Sequence, residues 1–275
     1  MINILLSTYN GEKYLKEQLD AILAQTYTDW ALFIRDDGSQ DNTLSIIENY
    51  CKKHPQKIKQ ISNNNENIGI IRSFELLLKQ SQSEHIMFCD QDDVWLPKKI
   101  ETAINKIKDI EIQNPNKAIV VCSDLYVVDS ELNRISDSFW KYSRINPAYL
   151  QKRNELAVNN YVTGCTMLFN QKAKEISLPF GKNATMHDFW IALEVLNSNG
   201  IINILEKTEI LYRQHERNQI GAFNMKYSYK YFIKKIFSIK TVVENNLRNY
   251  KQAKEIFNMP LRRFIYHRII YLMKR

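Results

Sequence analysis

The chain of 275 residues is 44% hydrophobic and 25% charged, proportions that are ordinary for a soluble globular protein with a full core. It contains no run of about 18 uncharged apolar residues, so we expect no transmembrane helix, and its first residues lack the pattern of a cleaved signal peptide. The four cysteines form no CxxC pair, which favours reduced, buried thiols in a cytoplasmic protein over a disulfide or zinc site.

The net charge of +8 is concentrated in one part of the sequence. Residues 226–275 hold 13 Lys and Arg against two Glu, a net charge of +11. The remaining 225 residues carry 25 cations and 28 acids, a net charge of −3. We therefore expect a mildly acidic body, residues 1–222, followed by a basic helical extension, residues 223–275.

The first 125 residues alternate short apolar runs with amphipathic stretches. The apolar runs predict strands at residues 2–7, 30–35, 57–62, 85–89 and 118–123. Helical spacing and capping residues between them predict helices at 13–24, from 41 or 42 to 53, at 70–79, and from Pro97 to about 112. This βαβα order predicts an α/β fold with a mostly parallel sheet covered by helices on both faces.

The pattern is looser after residue 123. "YVVDSELNRI" predicts a hairpin, and the polar and aromatic residues 137–160 predict a mobile loop. Further on, we predict a strand at 164–170, a helix at 187–199, a strand at 201–205 and helical structure from residue 227.

Polar clusters follow four of the predicted strands: "STYN", "DDGS", "NENIG" and "DQDD". The carboxyl ends of parallel strands lie on one edge of a sheet, and open α/β sheets bind ligands in the crevice beyond that edge. The four clusters therefore predict a single binding site rather than four unrelated loops.

The densest of these clusters has three carboxylates in four positions, at Asp90, Asp92 and Asp93. Oxygen ligands of this kind suit Mg²⁺ or Mn²⁺ bound together with substrate phosphates. The alternative is a solvated acidic loop, and Asp93 is the carboxylate that we expect to be structural. The pair Asp36 and Asp37 has two interpretations of its own: a carboxylate that accepts the imide N–H of a pyrimidine base, or a turn with a helix cap.

The motifs "STYNGEKYL", "DDGSQDNT", "NIGIIRSFE", "DQDDVW" and "RQHERN" occur in this order. Together they resemble the family 2 inverting glycosyltransferases of the GT-A fold, over roughly residues 1–222. "DQDDVW" and "YRQHERNQIG" are most similar to bacterial rhamnosyltransferases, which use dTDP-L-rhamnose to build cell-wall or surface polysaccharides. The resemblance implies a nucleotide-sugar donor and a Mg²⁺ or Mn²⁺ cofactor.

The family's roles carry over to the matching positions. Residues that the resemblance places at the donor nucleotide and its diphosphate are Thr8, Tyr9, Asn10, Asp36, Asp37, Asn67, Gly69, Arg72, Asp90, Arg213 and Arg217. Those that it places at the metal are Asp92, Asp90 and His215. On the acceptor side it implies Gly164, Cys165, Thr166 and His187, with Asp188 as the general base. The family carries an acidic pair where this chain has His187 and Asp188, so the role of His187 stays open, and each of the two residues has a structural alternative as a helix cap.

The basic extension mixes cations with aromatic and aliphatic residues at helical spacing. Two interpretations stay open: a helix on an anionic membrane surface, which suits a lipid-linked glycan acceptor and a location at the inner face of the cell membrane, or helices packed on the catalytic domain. No motif supports nucleic-acid binding. The competing functions are a UDP-hexose-dependent transferase of the same family and a non-catalytic, membrane-tethered assembly subunit. A sugar-nucleotide pyrophosphorylase would need a Gly-rich loop where this chain has "STYNGEKY".

Overall fold

A computed structural model describes residues 1–61, 66–215 and 230–275, the last range by its backbone alone as far as residue 240. Its strands are β1 (Ile2–Thr8), β2 (Trp30–Asp36), β3 (Ile58–Gln60), β4 (His85–Cys89), β5 (Val94–Trp95), β6 (Ile119–Cys122), β7 (Tyr126–Val128), β8 (Arg134–Ser136), β9 (Leu168–Asn170), β10 (Ile201–Ile204) and β11 (Ile210–Arg213). Its helices are α1 (Leu15–Leu23), α2 (Thr43–Lys53), α3 (Ile70–Gln80), α4 (Lys99–Gln113), α5 (Phe139–Tyr142), α6 (Arg153–Leu156), α7 (Gln171–Ser177), α8 (His187–Asn197), α9 (Lys230–Phe257) and α10 (Leu261–Lys274).

The main sheet has seven strands in the order β10–β6–β9–β4–β1–β2–β3. Every neighbouring pair is parallel except those of β9, which runs antiparallel to β4 and β6. The parallel strands place their carboxyl ends on one edge, and β9 brings its amino end to that same edge. The predicted mostly parallel sheet is confirmed.

Both faces of this sheet are buried, because side chains that alternate along each strand enter different cores. Leu5 and Phe88 belong to the core under α3, α7 and α8. Their neighbours Leu6 and Met87 belong to the core under α1, α2 and α4. Burial on both faces explains why these strands appear in the sequence as continuous apolar runs.

A second sheet, in the order β5–β11–β7–β8, was not predicted. Its β5 is two residues long and lies inside the "DQDDVW" motif, where no strand pattern can be recognised. Antiparallel pairing sets Leu211 of β11 opposite Val94 of β5 and so brings the following residues against the acidic motif. The predicted hairpin is confirmed as the antiparallel pair β7 and β8.

Three local predictions are wrong. The supposed mobile loop at 137–160 contains α5 and α6, and Leu150 and Leu156 in it are fully buried in the core. The predicted strand at 164–170 begins with a 3-10 turn over Gly164–Thr166, and only its last three residues form β9. Helix α4 starts at Lys99 rather than at Pro97.

The carboxyl-terminal helices follow the stretch 216–229, which lies outside the described residues together with the predicted domain boundary at 222. Helix α10 packs on the catalytic body through Phe264 and Tyr271, both buried, so the packed interpretation of the extension holds for this side of α10. Among the described residues, no helix has both the length and the apolar character needed to cross a membrane.

Candidate functional site

Loops from both sheets converge at the edge where the parallel strands end. Thr8 closes β1, Asp36 closes β2, and Asp90 directly follows β4. The antiparallel β9 places the turn at Gly164 beside the end of β4, because Leu168 pairs with Met87. The polar clusters therefore meet at one edge, as the sequence predicted.

The carboxylate of Asp36 is engaged by the protein itself. It accepts hydrogen bonds from the hydroxyls of Thr8 (2.8 Å) and Ser39 (2.5 Å) and from the backbone N–H groups of Gly38 (3.1 Å) and Ser39 (2.8 Å). Gly38 has a φ of 85°, a conformation that glycine adopts at little cost and that closes this turn. Asp36 thus joins the ends of β1 and β2 and shapes the predicted nucleotide pocket.

Asp37 fixes the turn that the sequence assigned to the donor. It forms a buried ion pair with Arg35 (2.5 Å) and accepts hydrogen bonds from the backbone N–H groups of Ile68 and Gly69, both at 2.9 Å. Asn67 is exposed beside this turn. The carboxylates of Asp36 and Asp37 therefore act within the protein, and a pyrimidine base would have to share their remaining lone pairs.

Arg72 lies on the first turn of α3, with its side chain half exposed. It pairs with Glu75 and lines an open cavity of about 430 Å³ together with Gly69 and Lys182. Two cations and the amino end of a helix give this cavity a positive potential. The predicted contact of Arg72 with phosphate fits this position.

A clasp between the loops after β1 and β4 was missed by the sequence analysis. The backbone N–H of Tyr9 donates to Oε1 of Gln91 (2.9 Å), and Nε2 of Gln91 donates back to the carbonyl of Tyr9 (3.0 Å). Asn10 continues the loop, since its N–H donates to Ser39 (2.8 Å). A Cβ on Gly11 would lie 2.3 Å from Oε1 of Gln91, so any other residue here would displace the Gln91 side chain.

The carboxylates of the acidic motif after β4 accept few hydrogen bonds from the protein. Burial, followed by repulsion from Asp92 and Asp188, raises the pKa of Asp90 to about 7. Burial and the charges of Asp92 and Asp90 raise the pKa of Asp93 as well. Lys99, missed by the sequence analysis, lies in the same region, where burial lowers the pKa of its ammonium to about 8. The carboxylates therefore repel one another in a space with little solvent.

Metal coordination fits these residues. Ligand atoms of Asp90, Asp93 and Cys165 lie within 4.8 Å of one another, and the carboxylate of Asp92 contacts Nε2 of His215 at 2.8 Å. Carboxylates with one imidazole suit Mn²⁺ or Mg²⁺, and a divalent cation would relieve the repulsion that raises the pKa of Asp90. Burial also raises the pKa of the Cys165 thiol, which disfavours a thiolate site for zinc.

Arg213 has a different position from the one predicted. Its buried guanidinium donates to the backbone carbonyl of Asp92 (2.9 Å), to the carbonyl of Ser130 and to the carboxylate of Glu17, and it lies over the ring of Tyr14. These contacts hold β11 against the acidic motif, so direct neutralisation of a leaving diphosphate by Arg213 does not fit. The other predicted cation, Arg217, lies outside the described residues.

Asp188 is buried at the amino end of α8, in the region that the sequence analysis assigned to the acceptor. It accepts a hydrogen bond from the N–H of Gly164 at 2.8 Å and one from the N–H of Phe189 at 2.5 Å. Burial raises its pKa to about 6, although these backbone donors act in the opposite direction. A carboxylate with this pKa can take up a proton near neutral pH, which is what a general base requires.

His187 is fully buried beside Asp188. Its ring stacks on Phe74 at a centroid distance of 4.0 Å and meets the edge of Phe88 at 4.7 Å. Burial lowers its pKa to about 3, so the ring is neutral, and neither ring nitrogen has a hydrogen-bond partner among the described residues. The hydroxyl of Thr166 donates to the carbonyl of Thr163 (2.7 Å) and keeps its acceptor lone pairs.

Comparisons with known proteins identify the family of this chain. Residues 3–176 match the family model described as glycosyl transferase family 2. The dTDP-rhamnosyl transferase RfbG of Shigella flexneri is 31% identical over 242 residues, which cover 82% of this chain and 76% of that protein. An uncharacterized glycosyltransferase of Haemophilus influenzae is 25% identical over 231 residues, 82% of this chain and 68% of its own length.

Solved structures share the fold. The mannosyltransferase PcManGT from Pyrobaculum calidifontis, in complex with GDP-Man and Mn²⁺, has a TM-score of 0.61 at 14% identity and covers 99% of this chain and 74% of its own. Residues 1–349 of S. aureus TarS, in complex with UDP-GlcNAc, give a TM-score of 0.58 at 16% identity and cover 99% of this chain and 80% of their own. The predicted GT-A fold is confirmed, and the chain belongs to glycosyl transferase family 2, with a bacterial rhamnosyltransferase among its relatives.

Proposed function

We propose that this protein transfers L-rhamnose from dTDP-L-rhamnose to a hydroxyl of a growing cell-wall or surface polysaccharide, or of its lipid-linked precursor, with inversion at the anomeric carbon. The observation that carries the reaction type is the position of Asp188, a buried carboxylate with a raised pKa, at the same edge as the acidic motif. The similarity to RfbG supports the choice of rhamnose as the donor sugar.

The donor half of the site uses the loops after β1, β2 and β4. The turn held by Asp37 and the loop held by Gln91 form the walls for the nucleotide, and Arg72 is placed for its phosphates. Asp90, Asp92 and His215 are the residues that the resemblance assigns to Mg²⁺ or Mn²⁺; Asp92 contacts His215, and Asp90 shares a group of possible ligand atoms with Asp93 and Cys165. When bound, the cation supplies charge stabilisation for the departing diphosphate.

The acceptor half depends on Asp188. The acceptor hydroxyl attacks the anomeric carbon and gives its proton to the carboxylate of Asp188, while the bond from that carbon to the diphosphate oxygen breaks and the nucleoside diphosphate leaves with the electron pair. Attack on the face opposite the leaving group inverts the configuration, so a β-linked donor gives an α-L-rhamnosyl product. The hydrogen bond from Gly164 orients the carboxylate without protonating it.

A donor screen tests this function. Purified protein is incubated with dTDP-L-rhamnose, UDP-glucose, UDP-galactose or UDP-N-acetylglucosamine, with and without Mn²⁺, and nucleoside diphosphate release and thermal stabilisation are measured. We expect a response to dTDP-L-rhamnose that depends on the metal. A response to a UDP-sugar alone would retain the reaction type and reject rhamnose.

Two variants separate binding from chemistry in the same assay. In Asp92→Ala, Mn²⁺ should no longer increase nucleoside diphosphate release or thermal stabilisation. Asp188→Ala should keep donor-dependent thermal stabilisation and lose turnover. The wild-type protein is also tested with a glycan acceptor present. If no donor then causes nucleoside diphosphate release or thermal stabilisation, a non-catalytic assembly subunit is favoured.

A further inference from the structure

Helix α10 has an apolar face that points away from the protein. Leu261, Ile265, Ile269 and Leu272 are each about half exposed, at 51%, 47%, 53% and 54%. Their spacing of three and four residues places them on one side of the helix. Among the described residues, α10 carries six of the 14 large hydrophobic side chains that are exposed, so the apolar surface is concentrated on this helix.

A second side of α10 is fixed on the catalytic body, so the helix cannot rotate to hide its outer face. Phe264 and Tyr271 are buried, and the hydroxyl of Tyr271 accepts a hydrogen bond from Asn159 at 2.7 Å. Arg268 donates to the carbonyl of Val158 at 3.0 Å. A helix with one apolar side docked and a second apolar side exposed needs an additional partner for the second side.

Charge indicates the chemistry of that partner. Arg262, Arg263, Lys274 and Arg275 are exposed on α10 or at its end, with Arg262 beside the apolar face at about 100° per residue, and the sequence has no acidic residue between 256 and 275. Long cationic side chains beside an apolar stripe can place their charges at lipid phosphates while the stripe enters the acyl boundary. Fourteen residues span about 21 Å as a helix, which suits a position parallel to a membrane surface rather than across it.

A second copy of the chain fits this face poorly. A two-fold contact would place the face against itself and bring the arginines of one copy close to those of the other. Burial of like charges in such an interface is unfavourable. We propose that the outer face of α10, defined as Leu261, Ile265, Ile269 and Leu272, docks on an anionic phospholipid bilayer with the helix lying in the interface.

Vesicle flotation without any sugar donor tests the proposal independently of the enzymatic function. Vesicles of phosphatidylcholine alone and of phosphatidylcholine mixed with phosphatidylglycerol are compared at low and high salt. We expect binding only to the mixed vesicles, weakened by salt because screening reduces the attraction. The double substitution Ile265→Glu/Ile269→Glu should reduce the bound fraction by about tenfold or more.

The control is Ile112→Glu, which introduces one such Ile→Glu charge at a side chain of α4 that is 81% exposed. It should bind vesicles like the wild-type protein. Unfolding temperatures of all variants are compared, and Ile265→Ser/Ile269→Ser replaces the charged pair if that pair does not fold.

Two results would overturn the proposal. One is equal flotation of the wild-type protein and the α10 variant. The other is a wild-type dimer in light scattering that Ile265→Glu/Ile269→Glu converts to monomer while no vesicles are bound, which would assign the face to a second copy. Donor hydrolysis measured on the same variants should not change, because α10 is outside the catalytic machinery.

Discussion

Two acidic motifs stand at the ends of the two parallel strands that flank β1, and they differ in what surrounds their carboxylates. After β2, Asp36 and Asp37 receive hydrogen bonds from hydroxyls and backbone N–H groups, and Asp37 also pairs with Arg35. After β4, Asp90 is half-buried close to other carboxylates, and desolvation followed by repulsion from Asp92 and Asp188 raises its pKa to about 7. The two motifs have similar sequences, "DDGS" and "DQDD", but opposite electrostatic environments.

The difference distinguishes carboxylates that position loops from carboxylates that bind a ligand or a proton. Carboxylates that are saturated by protein donors hold loops in place and contribute to stability. Carboxylates that lack such donors reduce stability but remain available to a cation, a substrate or a proton. Asp188 combines features of both groups, because it accepts hydrogen bonds from the N–H groups of Gly164 and Phe189 and burial still raises its pKa to about 6.

The largest effect on catalysis is expected at Asp188, the carboxylate that we propose as the general base. Asp188→Asn removes the proton acceptor, so kcat should fall about 10³-fold while donor-dependent thermal stabilisation persists. In the wild-type protein, kcat should rise with pH through about 6, because Asp188 must lose its proton before it can accept one. Steady-state kinetics across pH measure both.

The control for this variant is Asp109→Asn, at an exposed carboxylate of α4. It should leave kcat and its pH dependence unchanged. A loss of less than about tenfold for Asp188→Asn would assign the base to another residue.

Asp37→Asn should produce the largest loss of stability. The substitution leaves the buried guanidinium of Arg35 without its countercharge, which should lower the free energy of unfolding by about 3 kcal/mol. Urea unfolding of the variant measures the change, with Asp109→Asn again as the control. An unchanged unfolding midpoint would show that the carboxylate after β2 is as poorly satisfied as the one after β4.

Asp90→Asn should raise the free energy of unfolding, whereas Asp37→Asn lowers it. With its pKa raised to about 7, Asp90 holds a proton in the folded chain that the unfolded chain releases above about pH 4, so its contribution to stability falls as pH rises from about 4 to 7. Removing the carboxylate should stabilise the metal-free protein by about 1–2 kcal/mol at pH 7.5 and change little at pH 4.

The measurement is the difference in unfolding free energy between the wild type and Asp90→Asn at several pH values. Taking the difference cancels the groups that do not interact with Asp90, including His187, whose pKa is lowered to about 3 and whose contribution has the opposite slope. Mn²⁺ should stabilise the wild-type protein more than the variant. A variant that is less stable at pH 7.5 would contradict the assignment of Asp90 to the unsatisfied group.

Much of the fold follows from local pattern in the sequence. Continuous apolar runs identify β1, β2, β4 and β6, because strands buried on both faces need apolar side chains at every position. The second sheet does not follow, since β5 has two residues and its pairing with β11 depends on contacts across more than 100 positions. The segment at 137–160 was misjudged because its few apolar residues, such as Leu150, are buried by tertiary packing without local periodicity.

The site shows the same limit at the level of side chains. Motif order places Asp90, Asp92, His215 and Asp188 at one edge, as the structure has them. Residue type alone does not tell that Arg213 is turned into the protein, where it binds the carbonyl of Asp92. The partners of a side chain depend on tertiary packing, and sequence spacing does not predict them.

The smallest effect is expected at the clasp that joins the two regions. Gly11→Ala places a Cβ 2.3 Å from Oε1 of Gln91, so the Gln91 side chain must move and its two hydrogen bonds to Tyr9 break. Each bond contributes about 1 kcal/mol or less at this exposed position, so stability should change by at most about 1 kcal/mol. The KM for the donor should rise several-fold with little change in kcat, because the clasp positions the nucleotide loop and takes no part in proton transfer.

Gln91→Ala should reproduce the effect, and Gly11→Ala in the Gln91→Ala background should add nothing further. Additive changes in KM would mean that Gly11 acts on the loop independently of Gln91, and the two acidic motifs would then lack the mechanical connection that the clasp provides.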